Sequence, residues 1–226
     1  MSKKKGKNSN YKAEGIVEAK NAATQTINQD KLKDMIIWVV TGVIILGILI
    51  AVIVSAIPKI YYVEMDFGEY GKIVIEMNDK DAPVTVNNFV KLVKSGFYDG
   101  LTIFRAQENF VIQGGRDTSA NLSPIKGEFA SNKVKNTISH KRGVISMARS
   151  NDPDSATSQF FITLHDQAAS SLDGDYAGFG YVIEGMDVVD AIAAKLLSYP
   201  SDSMGFVDNS NAIKIVSAKV IKYDKK

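Results

Sequence analysis

Three polar side chains at the edges of apolar runs are the residues of this sequence best placed to do chemistry. Arg105, Gln113 and Gln159 each begin or end a short, strand-like stretch of apolar residues. An arginine is a permanently charged fork of N–H donors, and a glutamine amide both donates and accepts hydrogen bonds. Because successive side chains of a strand point to opposite faces, Val111 shares a face with Gln113, and Phe161 shares one with Gln159. The pattern predicts a surface where apolar contact lies beside hydrogen-bonding groups, although each polar residue alone is also consistent with a strand that faces solvent.

Several other kinds of chemistry are excluded by what the sequence lacks. Its 226 residues include no cysteine, which removes disulfides, thiol catalysis and cysteine-ligated metals. There is no GxxxxGK-S/T phosphate loop, no HExxH zinc motif and no GxSxG nucleophile elbow. A serine triad would need His140 or His165, and a lone histidine is more often a surface or hydrogen-bonded core residue. With 27 basic and 25 acidic residues, the chain has no general basic field for nucleic acid. We therefore expect no metal, no cofactor and no nucleic-acid partner.

The elements that would position these side chains lie in a globular region, residues 58–226, which is large enough for one core. Apolar residues at helical spacing predict two helices, one from Pro83 to Gly96 and one from Met186 to Leu197. Short apolar runs between Gly, Asp and Asn clusters predict strands near 60–67, 72–77, 101–105, 110–114, 143–148, 159–164 and 213–223. Many short strands with two helices predict a mainly β fold, a closed antiparallel barrel with helical caps.

A long apolar segment precedes this region. Residues 35–57 form 23 consecutive positions without a charged side chain. As a helix they would span about 34 Å, enough to cross a hydrocarbon core of about 30 Å. We therefore predict one transmembrane helix that contacts the lipid bilayer. A cleaved signal peptide is the alternative, since Val54-Ser55-Ala56 resembles a processing site, but the apolar region of a signal is usually shorter and its lead-in less extended.

Charges beside the apolar segment predict its orientation. Residues 1–34 contain eight lysines and four acidic residues, and Lys31 and Lys33 lie next to the segment. Basic residues that flank a membrane helix favour the cytoplasmic side. We expect a single-pass protein of a plasma membrane, bacterial in type. Residues 1–34 would form a disordered basic tail in the cytoplasm, and residues 58–226 would lie outside it.

Short motifs over about residues 61–223 resemble those of the cyclophilin family of peptidyl-prolyl cis–trans isomerases. In chain order they are Phe104-Arg105, Phe110 to Gly115, Gly143 to Ala148, Ser158 to Ile162, and Leu172-Asp173-Gly174 followed by Phe179-Gly180. The resemblance implies a closed eight-stranded antiparallel barrel capped by two helices. It also implies a folding catalyst, without a cofactor, that accelerates X–Pro bond rotation in exported or membrane-proximal polypeptides. We expect the globular domain to be monomeric.

The resemblance assigns a role to each of twelve residues. Arg105, Gln113 and Phe110 would be catalytic, with Gln113 orienting the arginine. Substrate would be bound by Phe104, Val111, Ala148, Arg149, Ser150, Gln159, Phe161, Leu172 and Tyr176. Rotation about a prolyl bond requires the amide nitrogen to lose its resonance. A guanidinium that hydrogen-bonds this nitrogen would stabilise the twisted transition state without a nucleophile.

Four differences from residues found in the family bear on activity or on cyclosporin binding. Phe104 stands in place of a histidine, Val111 of a methionine, Arg149 of an asparagine and Ser171 of a tryptophan. These changes remove one hydrogen bond, shorten one pocket wall and weaken the expectation of tight cyclosporin binding. They leave open an alternative, a non-catalytic proline-peptide-binding or scaffolding module on the membrane surface. Isomerisation by the globular region that is lost in Arg105→Ala would decide for the enzyme.

Overall fold

The computed structural model describes residues 7–55 and 57–224, and the chain divides into two compact units, residues 1–57 and 58–226. The first unit contains one helix, α1 (Lys7–Ser55), which is long and apolar enough to cross a membrane. This helix includes residues 7–34, for which the sequence predicts disorder, while residues 1–6 of that tail lie outside the described residues. The Ala, Lys, Glu and Gln residues of this stretch favour helix, so α1 extends well beyond its apolar segment.

The second unit contains one curled antiparallel sheet. Its strands in the described part of the chain are β1 (Ile60–Asp66), β2 (Lys72–Asn78), β3 (Thr102–Gln107), β4 (Val111–Gly114), β5 (Val144–Met147), β6 (Phe160–Thr163), β7 (Gly178–Glu184), β8 (Ile213–Lys214) and β9 (Ser217–Ile221). Their order across the sheet is β8-β3-β4-β6-β5-β7-β2-β1-β9. The unit is therefore mainly β, as the sequence predicts.

The closing segment of the chain accounts for the difference between nine strands and the predicted eight. It is divided into β8, which pairs with β3, and β9, which pairs with β1. Between them, the amide of Ile215 donates to the carbonyl of Leu101 at 2.7 Å, and the amide of Val216 donates to the carbonyl of Asp66 at 2.8 Å. The segment thus changes partner strand within two residues.

Strand β7 is the element that the pattern of apolar residues does not predict. Glycines at 178 and 180 lower its strand propensity. A Cβ atom at Gly180 would lie 2.6 Å from the carbonyl oxygen of Glu76. Gly180 therefore allows β7 to approach β2 closely, although the same glycine weakens the sequence pattern by which a strand is predicted.

The helices of this unit are α2 (Pro83–Lys94), the short α3 (Ala169–Leu172) and α4 (Met186–Leu197). Both longer helices occur where helical spacing predicts them, and both bury apolar residues in the main core. The ring of Phe89 on α2 lies 5.0 Å from those of Tyr98 and Phe179 and 5.8 Å from that of Phe160. This packing fixes the inner face of the sheet and leaves the opposite face of β3 to β6 for a separate apolar cluster.

Candidate active site

A β-bulge in β3 directs Arg105 to the outer face of the sheet. Ile103 and Arg105 pair with consecutive residues of β4, so Phe104 is an extra residue without a partner there. Ile103 and Ala106 both belong to the main core. Because the extra residue resets the alternation of side chains, Arg105 faces away from the core although it is two residues from Ile103.

The outer face carries a row of side chains across four strands. Arg105 pairs with Gln113, Gln113 pairs with Phe161, and Phe161 pairs with Ser146. The alternation that sends Ile112 into the main core places Val111 and Gln113 on this face, as the sequence predicts. Register alone therefore places the arginine, the amide and the aromatic ring side by side.

These side chains border a cavity of about 260 Å³. Nine of the twelve predicted site residues line it: Arg105, Phe110, Val111, Gln113, Ala148, Arg149, Phe161, Leu172 and Tyr176. Its apolar part is a cluster separate from the main core, in which Val111, Phe161 and Leu172 are buried. The ring of Tyr176 meets that of Phe161 edge-on at 5.6 Å.

The guanidinium of Arg105 is held by three acceptors. Its Nε donates to the carbonyl of Met204 at 2.8 Å, its Nη1 to Oε1 of Gln113 at 2.7 Å, and its Nη2 to Oε1 of Gln107 at 2.7 Å. The Nε2 of Gln113 donates in turn to Oε1 of Gln159 at 3.1 Å. Burial lowers the pKa of Arg105 from its usual value, and neighbouring Tyr176 and Asp202 oppose this change. Since an arginine stays protonated in proteins, the group is a fixed, charged donor.

The other three predicted residues lie outside the cavity wall. Gln159 does not line the cavity but accepts the hydrogen bond from Gln113. Ser150 is exposed, and its hydroxyl bonds to that of Ser155 at 2.8 Å. Phe104 is only 2% exposed, and its ring stacks on that of Phe206 at 5.9 Å. This position differs from the predicted contact with substrate, because the bulge turns the Phe104 ring against its neighbours instead of into the cavity.

Sequence reasoning missed a loop that forms part of the site. Met204 and Phe206 line the cavity, and the guanidinium carbon of Arg105 lies 5.3 Å from the centre of the Phe206 ring. The carboxylate of Asp202 organises the loop by accepting from the amides of Met204 and Phe206, both at 2.9 Å. In the sequence, Met204 and Phe206 flank Gly205 within an otherwise polar stretch. This pattern was the one signal that could have indicated a role for the loop.

A hydrogen-bonded chain runs from the exposed Asp173 through the buried His140 to the buried Ser146. The Nδ1 of His140 lies 2.8 Å from Oδ1 of Asp173, and its Nε2 lies 3.0 Å from the hydroxyl of Ser146. The carboxylate can only accept, so Nδ1 carries the proton and Nε2 accepts from Ser146. Although these residue types match a serine triad, the Ser146 hydroxyl is fully buried and out of reach of a substrate. The imidazole instead stacks on the Phe161 ring at 5.9 Å.

The wall thus combines an apolar pocket with charged N–H donors. Among the described residues, it contains no carboxylate, no imidazole and no serine or threonine hydroxyl. Such a site can hold a small apolar ring and donate hydrogen bonds to a polar group beside it. It is not arranged for nucleophilic attack or for proton transfer by a carboxylate or histidine.

A family model and the curated relatives of this chain all indicate the same family. Residues 62–220 match the family model described as cyclophilin type peptidyl-prolyl cis-trans isomerase. The chain is 43% identical over 160 residues to a peptidyl-prolyl cis-trans isomerase of Acinetobacter baylyi, covering 66% of this chain and 80% of that protein. It is 40% identical over 157 residues to peptidyl-prolyl cis-trans isomerase A of Dickeya dadantii, covering 67% and 80%.

The same fold occurs in a crystal structure of a Cryptosporidium parvum cyclophilin type isomerase, obtained in the presence of the dipeptide Ala-Pro. The TM-score is 0.58 at 24% identity, and the match covers 72% of this chain and 99% of that one. The agreement of the outer-face row, the family model and the curated relatives leads to one assignment. This chain belongs to the cyclophilin-type peptidyl-prolyl cis–trans isomerases.

Proposed function

We propose that Arg105 catalyses prolyl isomerisation in this chain by donating a hydrogen bond to the proline nitrogen in the twisted transition state. The barrier to rotation is about 18–20 kcal/mol, because the planar amide must lose its resonance. The nitrogen then regains a lone pair that can accept a hydrogen bond. Three of the five N–H groups of Arg105 are engaged by protein acceptors, which leaves two for a substrate. This fixed guanidinium at the edge of an apolar cavity is the observation that carries the proposal.

The proline ring would occupy the apolar part of the cavity, against Phe110, Val111, Phe161 and Leu172, with Tyr176 at its rim. Ala148, Arg149 and Ser150 would line the groove for the flanking peptide, and Gln113, supported by Gln159, would orient Arg105 and bind substrate backbone. We assign Phe104 to supporting Phe206 instead of contacting substrate. The presence of Ala-Pro in the Cryptosporidium structure supports an X–Pro peptide as the ligand.

Catalysis requires more than the arginine. An acceleration of about 10⁴- to 10⁶-fold needs about 5.5–8 kcal/mol of preferential transition-state binding. A hydrogen bond to a charged group contributes about 1.5–3 kcal/mol. The remainder would come from holding the peptide on both sides of the prolyl bond, which a groove beside the cavity can do.

A matched pair of conservative substitutions tests this mechanism. Arg105→Lys keeps the charge but loses the planar fork that bonds to Gln113, Gln107 and Met204, so we expect kcat/KM for a prolyl peptide to fall about 100-fold. Arg142→Lys makes the same change at a surface ion pair with Asp190 and is expected to keep full activity. Equal rates for Arg105→Lys and the unaltered chain would reject the mechanism. Peptide binding without any catalysis would favour the non-catalytic module.

We also propose that the chain is anchored in a plasma membrane and acts on exported or membrane-proximal polypeptides. The support is a helix of sufficient length and apolarity, together with the lysines at its N-terminal side. The 1–34 segment would then be cytoplasmic and the 58–226 unit extracytoplasmic.

Protease access to intact and broken cells that express the full chain tests this orientation. A tag at the C-terminus should be cleaved by external protease in intact cells, whereas a tag at the N-terminus should be cleaved only after the membrane is broken. The opposite result would reverse the orientation. If the enzyme is released into the medium without residues 1–56, the apolar segment is a cleaved signal peptide and not an anchor.

We further propose that residues 213–221 act as one bent strand that closes the sheet into the eight-stranded barrel, with α2 and α4 as its caps. The hydrogen bonds of Ile215 to Leu101, which directly precedes β3, and of Val216 to Asp66, the last residue of β1, support this closure.

A further inference from the structure

The cavity wall contains a second guanidinium, that of Arg149, in addition to Arg105. Its Nε donates to the carbonyl of Asp175 at 3.0 Å, and its Nη1 donates to the carbonyl of Ser150 at 2.9 Å. The guanidinium carbon lies 4.8 Å from the centre of the Tyr176 ring and 5.1 Å from that of the Phe129 ring. Backbone and aromatic contacts therefore fix the position of this group before any substrate arrives.

The guanidinium of Arg149 donates to neutral carbonyls, and among the described residues no carboxylate forms an ion pair with it. Arg142 is the contrast, because both of its Nη atoms bond to the carboxylate of Asp190, at 2.9 and 2.6 Å. The Nη2 of Arg149 remains available as a donor at the cavity.

The complement to such a group is a carboxylate. Charge-assisted hydrogen bonds from arginine to carboxylate are stronger than those between neutral groups, and an arginine that is already fixed loses little side-chain entropy on binding. Arg149 lines the same cavity as the residues proposed to receive the proline ring. A substrate side chain that reaches it must therefore belong to a residue close to the proline in sequence.

We propose that Arg149 makes this enzyme select prolyl substrates with an aspartate or glutamate next to the proline. This substrate class rests on the proposed function of the cavity. A lysine at the same substrate position would be disfavoured, because both guanidinium groups of the wall repel it.

Two peptide series measured with the full chain in neutral detergent micelles test the proposal. In Ala-Xaa-Pro-Phe and Ala-Ala-Pro-Xaa, Xaa is Glu, Gln or Lys, and each uncatalysed rate is subtracted. At low ionic strength we expect kcat/KM for Glu to exceed that for Gln by about 3- to 10-fold in at least one series. The preference should fall towards unity at about 0.5 M salt, because salt screens a partly exposed charge pair.

Substitutions connect any preference to this side chain. Arg149→Gln should bring the Glu/Gln ratio to unity while the Gln peptide is still isomerised, and Arg149→Lys should keep part of the preference. Lys135→Gln removes one exposed positive charge outside the wall and should leave the ratio unchanged.

The outcomes separate this proposal from the function on which it rests. Equal rates for Glu and Gln peptides in both series, or a preference that survives in Arg149→Gln, would overturn the role of Arg149. Failure to isomerise even the Gln peptides would instead overturn the proposed function of the cavity. The salt dependence of the unaltered chain remains a test if Arg149→Gln does not fold.

Discussion

His140 connects the buried interior to the site through a single ring contact. It stacks on Phe161 while its two nitrogens are bonded to Asp173 and Ser146. Burial lowers the pKa of His140 from its usual 6.5, although the bond to Asp173 opposes the change. Burial tends to raise the pKa of Asp173, but bonds from Ser139 and His140 hold it below 3.8. The histidine is therefore neutral and the aspartate ionised at neutral pH.

We expect the stability of the 58–226 unit to decrease as the pH falls from 7 to 5. The pKa of His140 is lower in the folded state, so below about 6.5 the unfolded chain binds a proton that the folded chain does not. Asp173 adds a further loss only below its usual value of 3.8. Urea unfolding followed by circular dichroism at several pH values measures this slope.

Two variants test whether His140 causes this dependence of stability on pH. His140→Gln should flatten it between pH 7 and 5, at some cost in stability at pH 7, whereas His165→Gln alters the exposed histidine and serves as the control. A slope that persists unchanged in His140→Gln would contradict the assignment.

Single residues also mark where sequence reasoning reached its limit. Alternation along β4 predicts the facing of Val111 and Gln113 without any structure. The same rule applied from Ile103 would place Arg105 in the core, and only the bulge at Phe104 corrects it. A bulge adds one residue to a strand without a distinctive sequence signal, so alternation could predict neither the facing of Arg105 nor the burial of Phe104. Only the resemblance to a family indicated that Arg105 belongs to the site.

At the scale of elements, backbone hydrogen bonds hold the loop between α4 and β8 against β3. The amide of Ala106 donates to the carbonyl of Gly205 at 3.0 Å, and the amide of Val207 donates to the carbonyl of Phe104 at 3.1 Å. Gly205 has φ of +82°, and a Cβ there would lie 2.1 Å from the carbonyl oxygen of Ala106. The position of the Met204 carbonyl on Arg105 therefore depends on this glycine.

Gly205→Ala should displace the loop and lower kcat/KM by about 10- to 100-fold, since Arg105 would lose its fixed orientation. Gly100→Ala is the matched control. Its φ of +85° carries a similar conformational cost of about 1–2 kcal/mol, but a Cβ there would have its nearest contact at 3.7 Å. Steady-state kinetics of the two variants beside their urea midpoints would separate lost activity from lost stability. Similar activity in both would contradict the role of the loop.

Elements with a regular spacing of apolar residues could be predicted from the sequence, and elements without one could not. Helices α2 and α4 have apolar residues at helical spacing and occur where predicted. Strand β7, interrupted by glycines, and the 201–207 loop, which has no period, were missed. The resemblance to a family implied the cavity, but it named no residue of this loop.

At the scale of the whole molecule, the 58–226 unit has its own core and carries the complete cavity wall. We expect the chain without residues 1–57 to be soluble and to isomerise short peptides with the same kcat/KM as the full chain in micelles. Peptidase-coupled assays on both proteins measure this. A large loss of activity, with the circular dichroism of a folded domain retained, would show that the first unit contributes to catalysis.

The extra residue in β3 has a consequence for how this chain can vary over evolutionary time. Removing it would rotate the rest of the strand by one position, so that Arg105 and Ala106 would exchange sides, and the enzyme would bury its charge in the centre of the domain. Replacing it keeps the register of the strand and loses only the packing of its buried ring, including the contacts with Phe206 and Arg116. We therefore expect an exchange of the amino acid at position 104 to be tolerated better than an insertion or deletion at this point.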